Sequence, residues 1–183
     1  GNLRSRLDND PDEALGPFAE VLQGADLAVI NLETAIAVGG EPVDKDFTFR
    51  VPSTAVAALR AAGVDVASMA NNHGMDYGEQ GLVESLRAKK AQADGMIIGI
   101  GEDEDAAYAP YRTTIKGQRV AVIAATQVMD ASLITAWTAT ATKGGLASAK
   151  RVDRLVAEVE KARQNSDTVV VFLHWGIEKE TCP

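Results

Sequence analysis

Cysteine is almost missing from this 183-residue chain: Cys182, at the penultimate position, is the single example. An internal disulfide is therefore excluded, and no redox compartment follows from so little cysteine. Positive charge is also in short supply, with 18 Lys and Arg against 26 Asp and Glu and a net charge of −8. That balance argues against a nonspecific nucleic-acid binder and against a basic membrane-surface patch. No apolar run approaches the roughly 20 residues that a membrane-spanning helix needs, and no signal peptide is read at Gly1. The chain opens in Gly-Asn-Leu and closes in Thr-Cys-Pro just after a strand-like run, which reads as a piece of a longer protein. The lack of a leader therefore says nothing about where the parent protein resides. What the chain does have is 46% apolar residues, enough for one domain over residues 1–183 with a substantial core.

Read in order, Asp10-Pro11-Asp12-Glu13 has the composition of a helix start. Leu15, Phe18, Val21 and Leu22 then fall at helical spacing, and Gly24 ends the segment. Asp26–Leu32 is a short apolar run that predicts a buried strand. Phe47–Val51 alternates like a strand with one wet face, and Pro52-Ser53 opens a helix that runs through Ala62. Val64–Ala70 predicts a central buried strand ending in Asn71-Asn72-His73-Gly74. The helix after it covers Tyr77–Gln92, with Arg87, Lys89 and Lys90 on its solvated face. Met96–Ile100 predicts a third strand, and the acids Glu102–Asp105 a solvated loop and helix start. Tyr111–Ile115 and Arg119–Ala125 flank Lys116-Gly117-Gln118 as a hairpin. Thr126–Gly145 lacks periodicity and reads as a long loop; Ser148–Gln164 reads as a helix and Thr168–Leu173 as the strongest strand. Such alternation implies an α/β fold with a largely parallel, helix-covered sheet and one antiparallel element.

Parallel strands place their C-terminal tips on one rim, where open α/β sheets keep their chemistry. Three predicted strands end in polar residues: Asn31 and Glu33, then Asn71, Asn72 and His73, then His174. The two histidines are the only ones in the chain, and each directly follows an apolar strand. Carboxylate, amide oxygen and imidazole together form the ligand set of a mixed oxygen and nitrogen site for manganese, zinc or iron. An imidazole beside such an ion can protonate a leaving oxygen. The competing reading is a plain strand–turn–helix connection, because Asn, Gly and Asp are ordinary turn and cap residues. From pattern alone both remain open.

At these same positions the sequence resembles a known family. The segments D-L-A-V-I-N-L-E-T (26–34), F-T-F-R-V-P (47–52), A-A-G-V-D-V-A-S-M-A-N-N-H-G-M-D-Y-G (61–78) and V-V-V-F-L-H-W-G-I-E (169–178) are similar to the bacterial capsule-synthesis CapA/PgsA family, which is linked to making or exporting poly-γ-glutamate. That family resembles the calcineurin-like metallophosphoesterases, so the likeness implies an α/β/β/α sandwich with a dinuclear divalent-metal site at the strand ends. By position it implies Glu33, Asn72 and His174 as metal ligands and His73 as the catalytic histidine, a proton donor or a contact to the phosphate. Asn31, Asn71 and Trp175 would sit behind them or at the rim. The resemblance further implies an extracytoplasmic, membrane-associated parent protein partnered with the membrane subunits of a polyglutamate synthase. Family members usually carry a Gly-Asp strand end a few residues before the counterpart of Gly1, and a Gly-x-His-x-His-type motif beyond that of Pro183. Neither lies in this chain, so the sandwich and its site are expected to be incomplete. Two functions stay in play: metal-dependent hydrolysis of a phosphoester or related bond, and a non-catalytic surface scaffold or accessory subunit of the synthase. An acidic chain is poorly suited to hold a polyglutamate anion directly unless metal or local cations intervene.

Overall fold

A computed structural model describes residues 5–181 apart from 6, 8, 11, 12, 93, 178 and 179. Pro11 and Asp12 of the expected helix start, and Cys182, lie outside the described residues. Ser5, Leu7 and Asn9 are helical, and the helix labelled α1 (Phe18–Gln23) begins well after Asp10. Gly16 takes a φ of +54° and Pro17 follows it, so the chain turns there before it coils. Phe18 and Val21 face solvent, while Leu15 and Leu22 pack against the core.

Two three-stranded sheets lie face to face where the alternation of elements suggests one. The first contains β1 (Val29–Asn31), β4 (Val66–Ser68) and β5 (Ile97–Ile98) in the order β1-β4-β5, all parallel. In the second, β8 (Gln118–Thr126) is flanked by β10 (Thr168–His174), parallel to it, and by β7 (Tyr111–Ile115), antiparallel. Side-chain alternation explains the sandwich. Val66 and Ile98 face Val120, Val122 and Ala124 across the sheet interface. The intervening residues point outward: Ala67 and Ile97 meet Val56 and Leu59 of α2 (Thr54–Ala61) and Leu82 of α3 (Gly78–Lys90). On the far side, Ala121 and Ile123 meet Ala162 of α6 (Val152–Arg163). The layers therefore run α/β/β/α. Each buried Val or Ile contributes roughly 1.5–3 kcal/mol, so these interfaces contribute substantially to stability.

The strand expected over Met96–Ile100 is split. Gly99, with a φ of +82°, separates β5 from β6 (Ile100–Gly101), which leaves the sheet to pair antiparallel with β9 (Gly145–Leu146). A Cβ at Gly99 would lie 2.6 Å from Ala70 Cβ and 2.7 Å from the Ala70 amide nitrogen. The acidic run opens α4 (Glu104–Tyr108), with Asp103 accepting from the Ala106 amide at 2.8 Å, as a helix start should. The hairpin turn at Lys116-Gly117 carries φ values of +49° and +83°, the pair a two-residue turn requires.

Phe47–Val51 yields a strand only at β3 (Arg50–Val51), paired in parallel with β2 (Ala35–Ile36). The Phe49 amide is diverted to the Asp76 carboxylate at 2.7 Å, which stops the ladder. Nor is 126–145 a bare loop. It holds α5 (Ile134–Trp137), whose Trp137 is 2% exposed within the core. Lys143 Nζ donates to the Thr135 and Ala136 carbonyls, each at 2.6 Å, and so covers the C-terminal end of that turn.

Lys89 is not on the solvated face of α3. It turns inward and donates to the carbonyls of Ile100 at 2.6 Å and Ala106 at 3.0 Å, joining α3 to β6 and α4. Burial pushes its ammonium down to about 8, with Glu102 opposing the drop. In the unfolded chain the group titrates at its ordinary, higher value, so the unfolded state binds the extra proton between about pH 8 and that value, and stability rises with pH there. We expect the unfolding free energy of the native chain, relative to Lys89→Met, to climb across this window in denaturant titrations; a flat difference would place the amine in water. Gly99→Ala and Gly117→Ala should separate backbone strain from crowding. Both pay roughly 1–2 kcal/mol for a left-handed Ala. Only Gly99→Ala meets packed backbone, and it should lose about 1–3 kcal/mol more.

Candidate functional site

The rim at the C-terminal tips of β1, β4 and β10 collects the polar residues. After β4 the chain passes Met69 and Ala70, both fully buried, and enters the 71–77 turn. Gly74 packs so tightly there that a Cβ would sit 2.4 Å from the Met69 carbonyl oxygen, which accounts for the glycine after His73.

Asn71 has no exposed surface, and its amide is held on both sides. Its Oδ1 accepts from the His73 amide at 3.0 Å and its Nδ2 donates to the Leu32 carbonyl at 3.0 Å. The same Nδ2 donates to Asn31 Oδ1 at 2.9 Å, which turns the Asn31 Nδ2 toward Glu33 Oε2 at 3.0 Å and His174 Nδ1 at 3.4 Å. His174, the last residue of β10, thus has Nδ1 facing a donor and Nε2 placed 2.9 Å from Asn72 Oδ1 and 3.7 Å from Glu33 Oε1. Burial holds the His174 imidazole below its ordinary value; the Glu33 carboxylate opposes this and His73 adds to it. Glu33, Asn72 and His174, far apart in sequence, therefore meet. Asn31 and Asn71 stand behind them, and Trp175 lies on the cleft wall, 57% exposed.

His73 occupies the neighbouring position. Its ring stacks at a tilt on Phe49, with centroids 4.4 Å apart, and its Nδ1 lies 2.6 Å from Asp76 Oδ2. Asp76, expected only as the start of a helix, is fully buried and serves no helix cap: α3 starts two residues later. Besides His73 and the Phe49 amide, the Asp76 carboxylate accepts from Lys45 Nζ at 2.8 Å. Lys45 also donates to the Asn72 carbonyl, stands 3.5 Å from Asp130 Oδ2, and lies 5.0 Å from the centre of the Trp137 ring. Sequence reasoning missed Lys45 and Asp76. The spacing of His73 and Asp76, three residues apart in a turn, was the available signal; nothing local marks Lys45.

Glu33, Lys45, Asn72, His73, Asp130 and His174 line a cleft of about 660 Å³, walled by Phe47, Phe49 and Trp175. Ligands on one ion sit about 2.0–2.2 Å from it, so neighbouring ligand atoms fall roughly 3–4 Å apart. The spacings around His174 Nε2 therefore suit three ligands of a single ion. Among the described residues no three His, Cys, Asp or Glu side chains converge, so such a set depends on the Asn72 amide oxygen as its third ligand. No helix among them is long and apolar enough to cross a membrane.

The chain is similar to known proteins. Residues 2–183 match the family described as bacterial capsule synthesis protein PGA_cap. The chain is 30% identical over 172 residues to a probable polyglutamine synthesis accessory protein of Mycobacterium tuberculosis, covering 87% of this chain and 45% of that one. It is 33% identical over 148 residues to the capsule biosynthesis protein CapA of Bacillus anthracis, covering 78% and 34%. With the PGA biosynthesis protein CapA of Bacillus subtilis it shares 25% identity over 166 residues, covering 89% and 42%. The chain thus spans less than half the length of these relatives. A crystal structure of a hypothetical protein from Thermus thermophilus shares the fold, with a TM-score of 0.50 at 15% identity over 92% of this chain and 54% of that one. With the family pattern matched from residue 2 to the last, and with 30% identity over most of its length to a curated relative, this chain belongs to the bacterial capsule synthesis protein family PGA_cap.

Proposed function

We propose that this chain is part of a protein that acts in poly-γ-glutamate capsule synthesis or export, and that its cleft is a metal-dependent hydrolytic centre of the metallophosphoesterase kind. The convergence of Glu33, Asn72 and His174 beside His73 carries the reading. These three side chains would hold one divalent ion, with manganese, zinc or iron suited to the mixed oxygen and nitrogen donors. Such an ion supplies Lewis acidity at the bond to be broken. The chain's own residues do the rest. His73, at the cleft wall, gives a proton to the departing oxygen. Asn31 and Asn71 fix the ligand side chains by the amide chain described above, and Phe47, Phe49 and Trp175 wall the cleft. The relatives' names support the capsule-synthesis setting; an extracytoplasmic location and partnership with the membrane subunits of a polyglutamate synthase belong to the same proposal.

A second reading, a non-catalytic accessory subunit, draws on one feature of the same site. The Asn31 amide facing His174 Nδ1 favours a proton on Nε2, which then donates to Asn72 instead of binding metal. Loading an ion requires that proton to move to Nδ1 and the Asn31 amide to give way.

Elemental analysis of the purified full-length protein separates the two, paired with aryl phosphate hydrolysis with and without added manganese. The hydrolase reading expects stoichiometric metal and metal-dependent turnover. His174→Ala and Asn72→Ala should each lower metal content at least about tenfold and abolish turnover, with circular dichroism unchanged. Metal-free, inactive wild-type protein would leave the accessory role.

A further inference from the structure

One well-built cluster has no share in holding an ion: a buried acid and a buried lysine, set behind the histidine at the cleft wall. Asp76 has no exposed surface, and the Lys45 side chain is 7% exposed. Such a pair is costly to desolvate, and a surface loop has no structural need of it. Here it joins three segments. Lys45 and Phe49 come from the connection between β2 and β3, Asp76 and His73 from the 71–77 turn, and Asp130 from the segment after β8.

The hydrogen-bond inventory assigns the protons. Lys45 donates to Asp76 Oδ1 at 2.8 Å and the Phe49 amide donates to Oδ2 at 2.7 Å, so both oxygens act as acceptors. The proton in the 2.6 Å contact between Oδ2 and His73 Nδ1 therefore belongs to the nitrogen. Nε2, which has no hydrogen-bond partner among the described residues, is left for the cleft that His73 lines. Phe49 stacks on the ring and fixes its plane.

We propose that Asp76, set in place by Lys45 and the Phe49 amide, is the positioning residue for His73: it keeps a proton on Nδ1, so that Nε2 is the nitrogen that exchanges the working proton with substrate. Calling Nε2 the working nitrogen rests on the hydrolytic reading; the tautomer itself does not. The arrangement also makes the β2–β3 connection part of the site, because the side chain that anchors Asp76 and the ring that stacks on His73 both come from it.

The test is histidine-selective ¹⁵N labelling of the intact, chelator-treated protein, with the two ring nitrogens of His73 assigned by their loss in His73→Gln. The neutral ring should show Nδ1 protonated and Nε2 bare, with the Nδ1 proton protected from exchange. A proton on Nε2 in the wild-type protein overturns the proposal, and that measurement needs no variant that might fail to fold. In Asp76→Asn the Nδ1 signature should disappear, and kcat on an aryl phosphate should fall about 100-fold or more with KM within about twofold. Retention of the Nδ1 proton in Asp76→Asn would also sink the proposal. In Lys45→Met, which leaves the acid in place, we expect the Nδ1 proton to remain but to exchange at least about tenfold faster; unchanged exchange would remove Lys45 from the device. If wild-type protein shows no hydrolysis at all, the hydrolytic reading fails while the spectrum still decides the positioning of His73.

Discussion

The site exists because two parallel ladders end at the same place. In one sheet β1 runs alongside β4, and in the other β10 runs alongside β8; the inner faces of the sheets interlock through Val66, Ile98, Val120 and Val122. This interlock holds the tips in register across the sandwich, so that Asn31 and Asn72 from one layer reach His174 from the other. No local segment contains the constellation. A slip of one residue in β10 would turn His174 to the opposite face, because side chains alternate along a strand. Packing between the sheets is therefore as much a determinant of the chemistry as the polar residues themselves.

Much of this was legible beforehand, for reasons that can be stated. Strand β10 is a run of β-branched and apolar residues that ends at a histidine, and the hairpin carries Lys-Gly between alternating segments. Helices α2, α3 and α6 have apolar residues at helical spacing. The polar tips could be identified because polar residues directly after an apolar strand have little reason to be there other than a turn or a site. Periodicity showed which residues are buried but not what buries them, so the alternation of elements alone suggested one sheet, while the family resemblance implied the α/β/β/α sandwich that is present. The kink at Gly99 illustrates the limit. A single glycine in an apolar run looks tolerable, and only the proximity of Ala70 and Ala124 reveals that it is required. Trp137 was missed for the converse reason: its Thr- and Ala-rich surroundings have no period, yet its ring fills the core.

The least legible part was the charge inside. Lys89 and Lys45 look alike in sequence, two lysines in polar stretches, and both turn inward. Lys89 meets only carbonyl oxygens, which solvate an ammonium incompletely, and its affinity for the proton falls accordingly. Lys45 meets carboxylates as well, and it helps to hold a buried acid against a histidine. The two show how burial can be offset by quite different partners, and that the partners come from segments remote in the chain.

Strand β10 has one last property. It is hydrogen-bonded to β8 along seven register pairs, and its final residue is His174. Strand ends open at a lower free energy than strand centres. Fraying from that tip and dismantling the cleft are consequently one event, and whatever occupies His174 clamps the end of the strand. Occupancy of a site a few ångströms wide would be felt along the rungs of that ladder as slower amide exchange, so the rim chemistry and the integrity of the β8–β10 pair are thermodynamically linked.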